Sequence, residues 1–337
     1  MLNCDVKEIV FSSYAGNVYE VQTKVERKGY FRNYQVMRFP NKDKYQLYIL
    51  DYYGFSDGGK SYRNWMEGNF EESFGGRIED SSFIWPVDYV SEYERGISGK
   101  SSLGLFFSQK QLDDVLQVAL PSEEKFVVQL FLPLFHSIKK LHEKKVYLNG
   151  INIDQLLFSK KDEKVKIQVL HNCICETGVG KDAEEYLTEG ARYLYQDKAF
   201  SLPLGSGWKT LKLGAYARCN DIYSLASILF YVIIGRHPLN GRLCDDLEDK
   251  EGRRIIYNQN PCFIFDKFDK RNEIGQFAEE KEAIAKWERL NQEIKELFWD
   301  LYTFPDFNDT ELEKKTEKLE CFQLDSWVEI LNKIACK

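Results

Sequence analysis

Two hydrophobic patterns divide this chain, and the division constrains its fold more than any single motif. In roughly the first 105 residues, β-branched and aromatic side chains alternate with polar ones, as they do in half-buried strands. From Gln109 onward, the apolar residues recur at helical intervals. Strands followed by helices predict an α+β protein with a small sheet lobe, residues 1–108, and a larger helical lobe, residues 109–337.

The individual elements follow from the same patterns. Strands are predicted at residues 6–11, 18–25, 34–39, 45–50, 83–90 and 103–107. Helices are predicted at residues 61–72, 122–142, 221–234, 279–302 and 325–335, where 279–302 is either one helix or a helix pair. Ser122 is the predicted N-cap of its helix, with Glu123 and Glu124 in the first turn. The helix at 221–234 is almost entirely apolar, so we expect it to be buried on most sides.

The charge balance excludes several classes of partner. The chain has a net charge of −7 and no local block of Lys and Arg, so we expect no binding to nucleic acid or to an anionic membrane. The longest apolar run, residues 228–234, is much shorter than a membrane span. The first residues lack the basic and apolar regions of a signal peptide. The sequence therefore predicts a soluble, cytoplasmic protein.

The cysteines argue for free thiols rather than a metal site. Eight cysteines are scattered along the chain, and the closest pair is Cys173 and Cys175, with one residue between them. Zinc sites usually have two to four residues between paired cysteines and a second pair nearby, and neither condition is met. We therefore predict buried or half-buried thiols in a reducing compartment.

The helical half also carries recognisable motifs. Residues 141–158 begin with Leu-His, continue through Tyr-Leu-Asn-Gly and end with Leu-Leu-Phe, and residues 165–171 form an apolar strand that ends with Val-Leu-His. Residues 220–229 are Asn-Asp-Ile-Tyr-Ser-Leu-Ala-Ser-Ile-Leu, and residues 235–239 are Gly-Arg-His-Pro-Leu. These segments resemble the catalytic loop, the strand before the Asp-Phe-Gly motif and the buried helix of protein kinases.

The resemblance extends over nearly the whole chain, and it is strong in the helical lobe and weak over residues 1–60. Outside the segments already given, the chain is similar to one bacterial branch of kinase-like proteins. That branch carries a Phe-x-Trp-Pro-x-Asp segment, a His-Pro-x-x-Gly-Arg run, an Asn-Pro-x-Phe-Ile-Phe-Asp segment and an aromatic-rich helix. The matching residues are 83–88, 237–242, 260–266 and 297–302. A final helix with a tryptophan, here Trp327, closes the chain. The resemblance implies a bilobal protein kinase-like fold with a family-specific helical tail.

Under this resemblance, the residues that carry phosphoryl transfer are replaced. In kinases a catalytic Asp orients the substrate hydroxyl, and an Asn and a second Asp hold magnesium. Asn149 stands at the catalytic Asp and cannot take up a proton. Val169 stands at the Asp of the Asp-Phe-Gly motif and offers magnesium no oxygen ligand. Asp154 stands at the metal-binding Asn, but one carboxylate makes a poor metal site, so we favour its interpretation as a loop aspartate.

The nucleotide cleft would be formed by Gly16, Val18 and Tyr48. Gly16 is the one glycine left of three in the glycine-rich loop, and an ordinary hairpin turn explains it equally well. Val18 stands at the position that covers adenine. Tyr48, in the predicted strand 45–50, replaces the phosphate-binding lysine with a neutral phenol. We expect Tyr48 and neighbouring aromatic residues to fill the cleft between the lobes.

Other positions complete the comparison with kinases. If the strand at 34–39 is aligned with the lysine strand instead, Arg38 becomes a nearby cation. Glu67 would have been the partner of the missing lysine, and His171 stands at the glycine of the Asp-Phe-Gly motif. Asp197 replaces the Glu of Ala-Pro-Glu, and no arginine follows in the tail to pair with it. Asp221 resembles the buried aspartate that anchors the catalytic loop, so we expect the loop conformation to be kept.

The sequence thus predicts a catalytically inactive kinase-like protein, a pseudokinase, that acts as a binding or regulatory module. We expect a protein partner, such as an active kinase or a phosphatase, and no cofactor. The exposed candidates for contact are residues 177–208 and 279–302, although the second also fits an ordinary solvated face. Two alternatives stay open, namely an ATP-binding sensor and an atypical kinase or nucleotidyl transferase that uses Arg38 and Asp154. ATP and magnesium would be cofactors only under these alternatives.

Overall fold

The computed structural model describes most of the chain and gives it a sheet lobe followed by a helical lobe. The residues that it describes are 10–13, 15–28, 31–51, 78–93, 101–113, 115–117, 123–159, 161–169, 174–175, 202, 211, 213–245, 257, 261–303 and 312–336. The predicted bilobal α+β fold class is confirmed. The predicted helix at 61–72 lies outside the described residues, as do residues 6–9 of the first predicted strand.

The sheet lobe is built on one six-stranded antiparallel sheet. Its strands, in chain order, are β1 (Val10–Ser12), β2 (Val18–Lys28), β3 (Phe31–Phe39), β4 (Asp43–Asp51), β6 (Asp88–Tyr93) and β7 (Ser101–Ser108), while β5 (Phe83–Ile84) belongs to a second sheet. The spatial order is β1-β2-β3-β4-β7-β6. The alternation of apolar and polar residues explains this sheet, because side chains on one face of a strand are two residues apart. On β4 the buried face carries Tyr45, Leu47 and Ile49.

The sheet curls on itself, so that strands far apart in the order touch. Tyr19 on β2 stacks on Phe106 of β7 with 3.9 Å between the ring centroids. Both belong to a buried cluster that the sheet encloses, with Val21, Tyr34, Val36, Tyr45, Leu47, Ile49 and Val90. Aromatic rings bury a large area each, so a few of them close this small lobe.

The helical lobe follows β7. Its helices are α1 (Gln109–Leu112), α2 (Glu124–Glu143), α3 (Leu213–Ile234), α4 (Arg242–Asp245), α5 (Glu280–Arg289), α6 (Gln292–Tyr302), α7 (Leu312–Thr316) and α8 (Leu324–Ala335). Short strands lie between α1 and α3, namely β8 (Val115–Gln117), β9 (Val146–Tyr147), β10 (Leu156–Ser159), β11 (Lys164–Gln168) and β12 (Ile174–Cys175). β5 pairs in parallel with β11 and so joins the two lobes.

The helix α3 is the centre of the helical lobe. Among the described residues it is the one helix long and apolar enough to cross a membrane, over Gly214–Ile234, but 83% of that stretch is buried inside the protein. A core helix of a soluble protein has this composition. Cys219, Cys244, Cys262 and Cys321 of the described lobe are likewise buried, whereas Cys336 is exposed. Burial raises the pKa of Cys262 to about 11.

The predicted strand 83–90 and the predicted N-cap of α2 are wrong, whereas the helix pair, one of the two forms predicted for 279–302, is confirmed. The predicted strand 83–90 is two strands, because Pro86 has no N–H for a ladder and interrupts the pairing. The N-cap of α2 is Glu123 and not Ser122. The predicted segment 279–302 is the helix pair α5 and α6, broken at Leu290 and Asn291, where the Asn291 side chain caps α6. The predicted lobe boundary at residues 108 and 109 coincides with the junction of β7 and α1 and stays a prediction.

The segment 237–242 packs against the loop that contains Asn272, and Gly241 leaves no room there for a larger residue. Asn272 is fully buried, and its amide donates to the carbonyls of Leu239 and Cys262 at 3.0 and 2.6 Å. A Cβ on Gly241 would lie 2.0 Å from the backbone oxygen of Asn272. The glycine therefore lets two buried loops approach closely.

Gly241→Ala should destabilise the protein by about 1–3 kcal/mol, because the added methyl overpacks a rigid contact. Urea denaturation followed by far-UV circular dichroism measures the change in the free energy of unfolding. Lys281→Ala, at an exposed position of α5, is the control and should stay within about 0.5 kcal/mol of the parent protein. Equal stabilities for the two variants would show that the Asn272 loop can move away.

Candidate functional site

The candidate catalytic loop, which joins β9 to β10, is held in place by one buried carboxylate. Asp221 on α3 is completely buried, and its Oδ1 accepts a hydrogen bond from the Gly150 N–H at 2.7 Å. Its Oδ2 accepts from the Leu148 N–H at 2.8 Å and lies 2.9 Å from Nε2 of His142. Because these donors satisfy the carboxylate, its burial is tolerable. The predicted role of Asp221 as the anchor of this loop is confirmed.

The neighbours of Asp221 on α3 extend the anchoring. The Ser224 hydroxyl accepts from the Ile151 N–H at 2.8 Å, and the Asn220 amide donates to the Asn149 carbonyl at 3.0 Å. Asn149 and Gly150 have φ angles of 55° and 95°, a left-handed backbone that asparagine and glycine adopt most readily. The polar residues at the start of the 220–229 motif therefore shape the loop rather than face solvent.

The predicted catalytic positions are closed to solvent. The Asn149 residue is 0% exposed and Val169 is 1% exposed. Val169 belongs to the main hydrophobic core, and its N–H donates to the Ile84 carbonyl at 3.0 Å. Val169 comes directly after β11 in the chain and is hydrogen-bonded to β5, so it lies where the two lobes meet. The side chains at these two positions have no exposed surface to offer a substrate or a metal ion.

Asp154 lies in a short 3₁₀ turn, Ile153–Gln155, that closes the candidate loop. The Asn152 side chain accepts from the Asp154 N–H at 3.1 Å, and the Gln155 side chain accepts from the Asn152 N–H at 2.8 Å. This reciprocal pair is a capping box, which satisfies the first N–H groups of the turn. Asp154 itself is half-buried. Within the described part of the chain, no group of three or more His, Cys, Asp or Glu side chains could hold a metal ion.

Tyr48 packs into the contact between the lobes. Its ring lies edge-on to Phe107, with 5.5 Å between the centroids, and borders the same core as Val169. Its hydroxyl donates to the Gln46 side chain at 2.8 Å. Burial raises the pKa of Tyr48, while the amides of Gln168 and Asn33 act in the opposite direction. The phenol thus stays neutral at physiological pH, and its partners among the described residues are the amides of Gln46, Gln168 and Asn33.

The turn that contains Gly16 is tied to a carboxylate of the sheet. Asp88 at the start of β6 accepts hydrogen bonds from the Ser13 hydroxyl, from the Asn17 amide at 2.8 Å and from the Tyr19 hydroxyl at 3.1 Å. Burial and the neighbouring Asp88 carboxylate raise the pKa of Tyr19, so its hydroxyl remains a donor. The polar side chains of this turn therefore bind to β6, through Asp88.

Gly16 itself has a φ of 76°, which is accessible to glycine at little energetic cost, and Val18 is 40% exposed. Arg38, on β3, is committed to an ion pair with Asp43 at 2.8 Å and lies over the Tyr45 ring at 5.3 Å. Both candidate third strands exist, the segment 34–39 within β3 and the segment 45–50 within β4.

The structure thus brings part of the predicted site together. Tyr48 and Val169 share the core between the lobes, and Asn149 lies on the loop held by α3. Gln168, Asn33 and Asp88 were not predicted as site residues. Asp88 had a signal, because it ends the Phe-x-Trp-Pro-x-Asp segment. The predicted positions Glu67, His171 and Asp197 lie outside the described residues, as does the segment 177–208 except for Leu202.

The chain is similar to a rhoptry antigen kinase domain from Toxoplasma gondii, with a TM-score of 0.43 and 10% identity over 84% of this chain and 86% of that one. It is also similar to vaccinia related kinase 3, with a TM-score of 0.47 and 11% identity over 98% of this chain and 93% of that one. No family model and no curated protein sequence match the chain.

The fold is bilobal, α+β and kinase-like. An antiparallel sheet lobe leads through Ser108 into a helical lobe, where the central helix α3 holds a loop by a buried aspartate. That loop and β11 occupy the places at which the sequence resembles the catalytic loop and the strand before the Asp-Phe-Gly motif.

Proposed function

We propose that the protein is a catalytically inactive kinase-like protein, a pseudokinase, that works as a binding or regulatory module. The observation that carries this proposal is the burial of Asn149 and Val169, at 0% and 1% exposure. A catalytic base must lie within hydrogen-bond reach of the proton that it removes, and magnesium needs oxygen ligands around it. An enclosed amide and an enclosed isopropyl group supply neither.

The surroundings of Tyr48 support the same proposal. Phosphoryl transfer depends on positive charge that neutralises the phosphates. Among the described residues, the groups near the Tyr48 hydroxyl are the amides of Gln46, Gln168 and Asn33. The phenol is neutral at physiological pH, because its ordinary pKa of about 10 lies well above 7 and burial raises it further. The cation of the alternative alignment, Arg38, is paired with Asp43. The atypical enzyme that uses Arg38 and Asp154 would have to break that pair.

A protein without site chemistry acts through its surface. We therefore propose a protein partner, with an active kinase or a phosphatase as the first candidates, and neither nucleic acid nor membrane. We propose no cofactor. The bacterial affiliation and the cytoplasmic location stay predictions from the sequence.

Nucleotide binding and turnover should both be absent. A ligand at about 100 times its Kd stabilises a protein by about 2.7 kcal/mol, which raises the melting temperature by several degrees. We expect no such rise on titration with ATP, with or without magnesium or manganese, and no phosphate or nucleotide transfer from radiolabelled ATP to the protein or to generic acceptors.

The matched variants are Asp154→Ala and Asp162→Ala, since Asp162 lies on the nearby β10–β11 turn, outside the candidate loop. Alanine is chosen because asparagine is the residue that holds magnesium at the position of Asp154 in kinases. We expect both variants to resemble the parent protein in both assays. A magnesium-dependent rise of several degrees would contradict the proposal that the cleft lacks a nucleotide. Transfer that disappears in Asp154→Ala but not in Asp162→Ala would overturn the inactive assignment in favour of the atypical enzyme.

A further inference from the structure

The loop between α4 and α5 presents an aromatic side chain to solvent. Phe268 is 83% exposed, an unusual state for a phenylalanine. A built turn holds it there, because Oδ1 of Asp266 accepts hydrogen bonds from the N–H groups of Phe268 at 2.8 Å and of Asp269 at 3.1 Å. Such an Asx turn fixes the backbone that carries the ring.

A second aromatic residue widens this exposed apolar area. The Phe268 ring lies 5.9 Å from the Trp299 ring of α6, at an angle of 67°. The ammonium group of Lys267 lies 4.4 Å from the Trp299 ring centroid, in a cation–π contact. Trp299 is partly buried against the main core, so the rigid helix α6 supports the outer ring.

Two carboxylates flank Trp299 on α6. Glu296 and Asp300 are four residues apart on α6, and like charges at this spacing destabilise a helix. Partial burial raises the pKa of Asp300; Lys267 lowers it, and Glu296 and Glu320 raise it further. Nearby cations are engaged locally, since Lys270 pairs with Glu273 and Arg271 pairs with Asp269. Glu296 and Asp300 therefore place negative charge on α6 beside Trp299, and Lys267 is the cation that lowers the pKa of Asp300.

We propose that this surface, formed by Phe268, Trp299, Glu296 and Asp300 and named the Phe268 surface, docks a basic and apolar segment of a partner protein. An arginine side chain stacks on aromatic rings and pairs with carboxylates, so it complements both features. An apolar neighbour of that arginine would cover the exposed ring. The inference rests on the proposed function as a binding module, and it places one contact within the predicted segment 279–302 and the loop before it.

A peptide titration tests this proposal with the full-length chain. The probe is a fluorescein-labelled peptide of alternating arginine and leucine, and the comparison peptides alternate glutamate with leucine and arginine with serine. We expect the arginine–leucine peptide to bind at least about tenfold more tightly than either comparison peptide in fluorescence polarisation. Phe268→Ala and Glu296→Lys should each weaken this binding about fivefold or more, as expected for central contact residues.

Phe39→Ala is the matched control, because Phe39 is an exposed phenylalanine of the sheet lobe. It should bind the peptide as the parent protein does, and Phe268→Ala should keep the melting temperature of the parent because its ring is exposed. Unchanged binding by Phe268→Ala, or equal binding of the arginine–serine peptide, would overturn the proposal and leave only attraction by net charge. These outcomes do not depend on nucleotide turnover, so this inference and the proposed inactivity can fail separately.

Discussion

Replacing Asp221 with alanine is expected to destabilise the protein by about 2–6 kcal/mol. The substitution leaves the N–H groups of Leu148 and Gly150 buried without an acceptor, and each such loss is worth about 1–3 kcal/mol. It also removes the group that His142 contacts. Few single substitutions remove so much, because the carboxylate is the point at which α3, the end of α2 and the candidate loop meet.

Equilibrium denaturation in urea, followed by far-UV circular dichroism and by tryptophan fluorescence, measures this effect. Asp325→Asn is the matched control, since Asp325 is exposed and pairs with Lys139 at the surface. A surface ion pair contributes about 0–1 kcal/mol, so the control should remain close to the parent protein. A free energy of unfolding for Asp221→Ala within about 1 kcal/mol of the parent would contradict the assignment of Asp221 as the loop anchor.

The anchor has a consequence for the proposed function. In this protein the carboxylate that shapes the loop is kept, whereas the loop position that resembles the catalytic Asp holds Asn149. Under the proposed function, the loop serves the packing of the helical lobe through its backbone, which Asp221 holds. A protein of this kind can lose catalysis without losing its fold, because the two depend on different atoms.

The fold could be predicted from local patterns where those patterns report burial directly. Alternation predicted strands at 34–39 and 45–50, because one face of β4 is buried and the other is not. The start of α3 was predicted eight positions too late, at 221 instead of Leu213. Asn220 lies in the missed turn with its side chain buried, donating to the Asn149 carbonyl and accepting from the Leu202 N–H at 2.8 Å. A buried polar residue does not register in a hydrophobic pattern.

The site residues stay predictions, but the structure shows which contacts the sequence could not reveal. Tyr48 was expected in the contact between the lobes, and its ring does border the core there. The tie between the Gly16 turn and Asp88 could not be read from one sequence, because about seventy residues separate the groups and only the curl of the sheet brings them together. Gln168 and Asn33 were missed because no recognisable sequence motif requires an amide at either position.

Replacing Trp327 with alanine is expected to destabilise the protein by about 3–5 kcal/mol, which makes it the second large effect. Trp327 on α8 is completely buried. Its ring stacks on Phe135 of α2 at 5.7 Å and meets Phe298 of α6 edge-on at 5.3 Å. Removal of a large core aromatic leaves a cavity that the surrounding helices fill only in part. Three helices would lose their common contact, so the C-terminal tail should detach first.

Two further variants separate the contributions of the ring and of its N–H group. Trp327→Phe keeps most of the packing but loses the hydrogen bond from Nε1 to the Cys321 carbonyl at 2.9 Å, so it should retain more stability than Trp327→Ala. Phe126→Ala, at an exposed position of α2, should change the free energy of unfolding by less than about 0.5 kcal/mol. Limited proteolysis should cleave the tail of Trp327→Ala well before the rest of the chain. If Trp327→Ala instead unfolds at the urea concentration of the parent, the final helix is a surface addition, and the core of the helical lobe ends at α6.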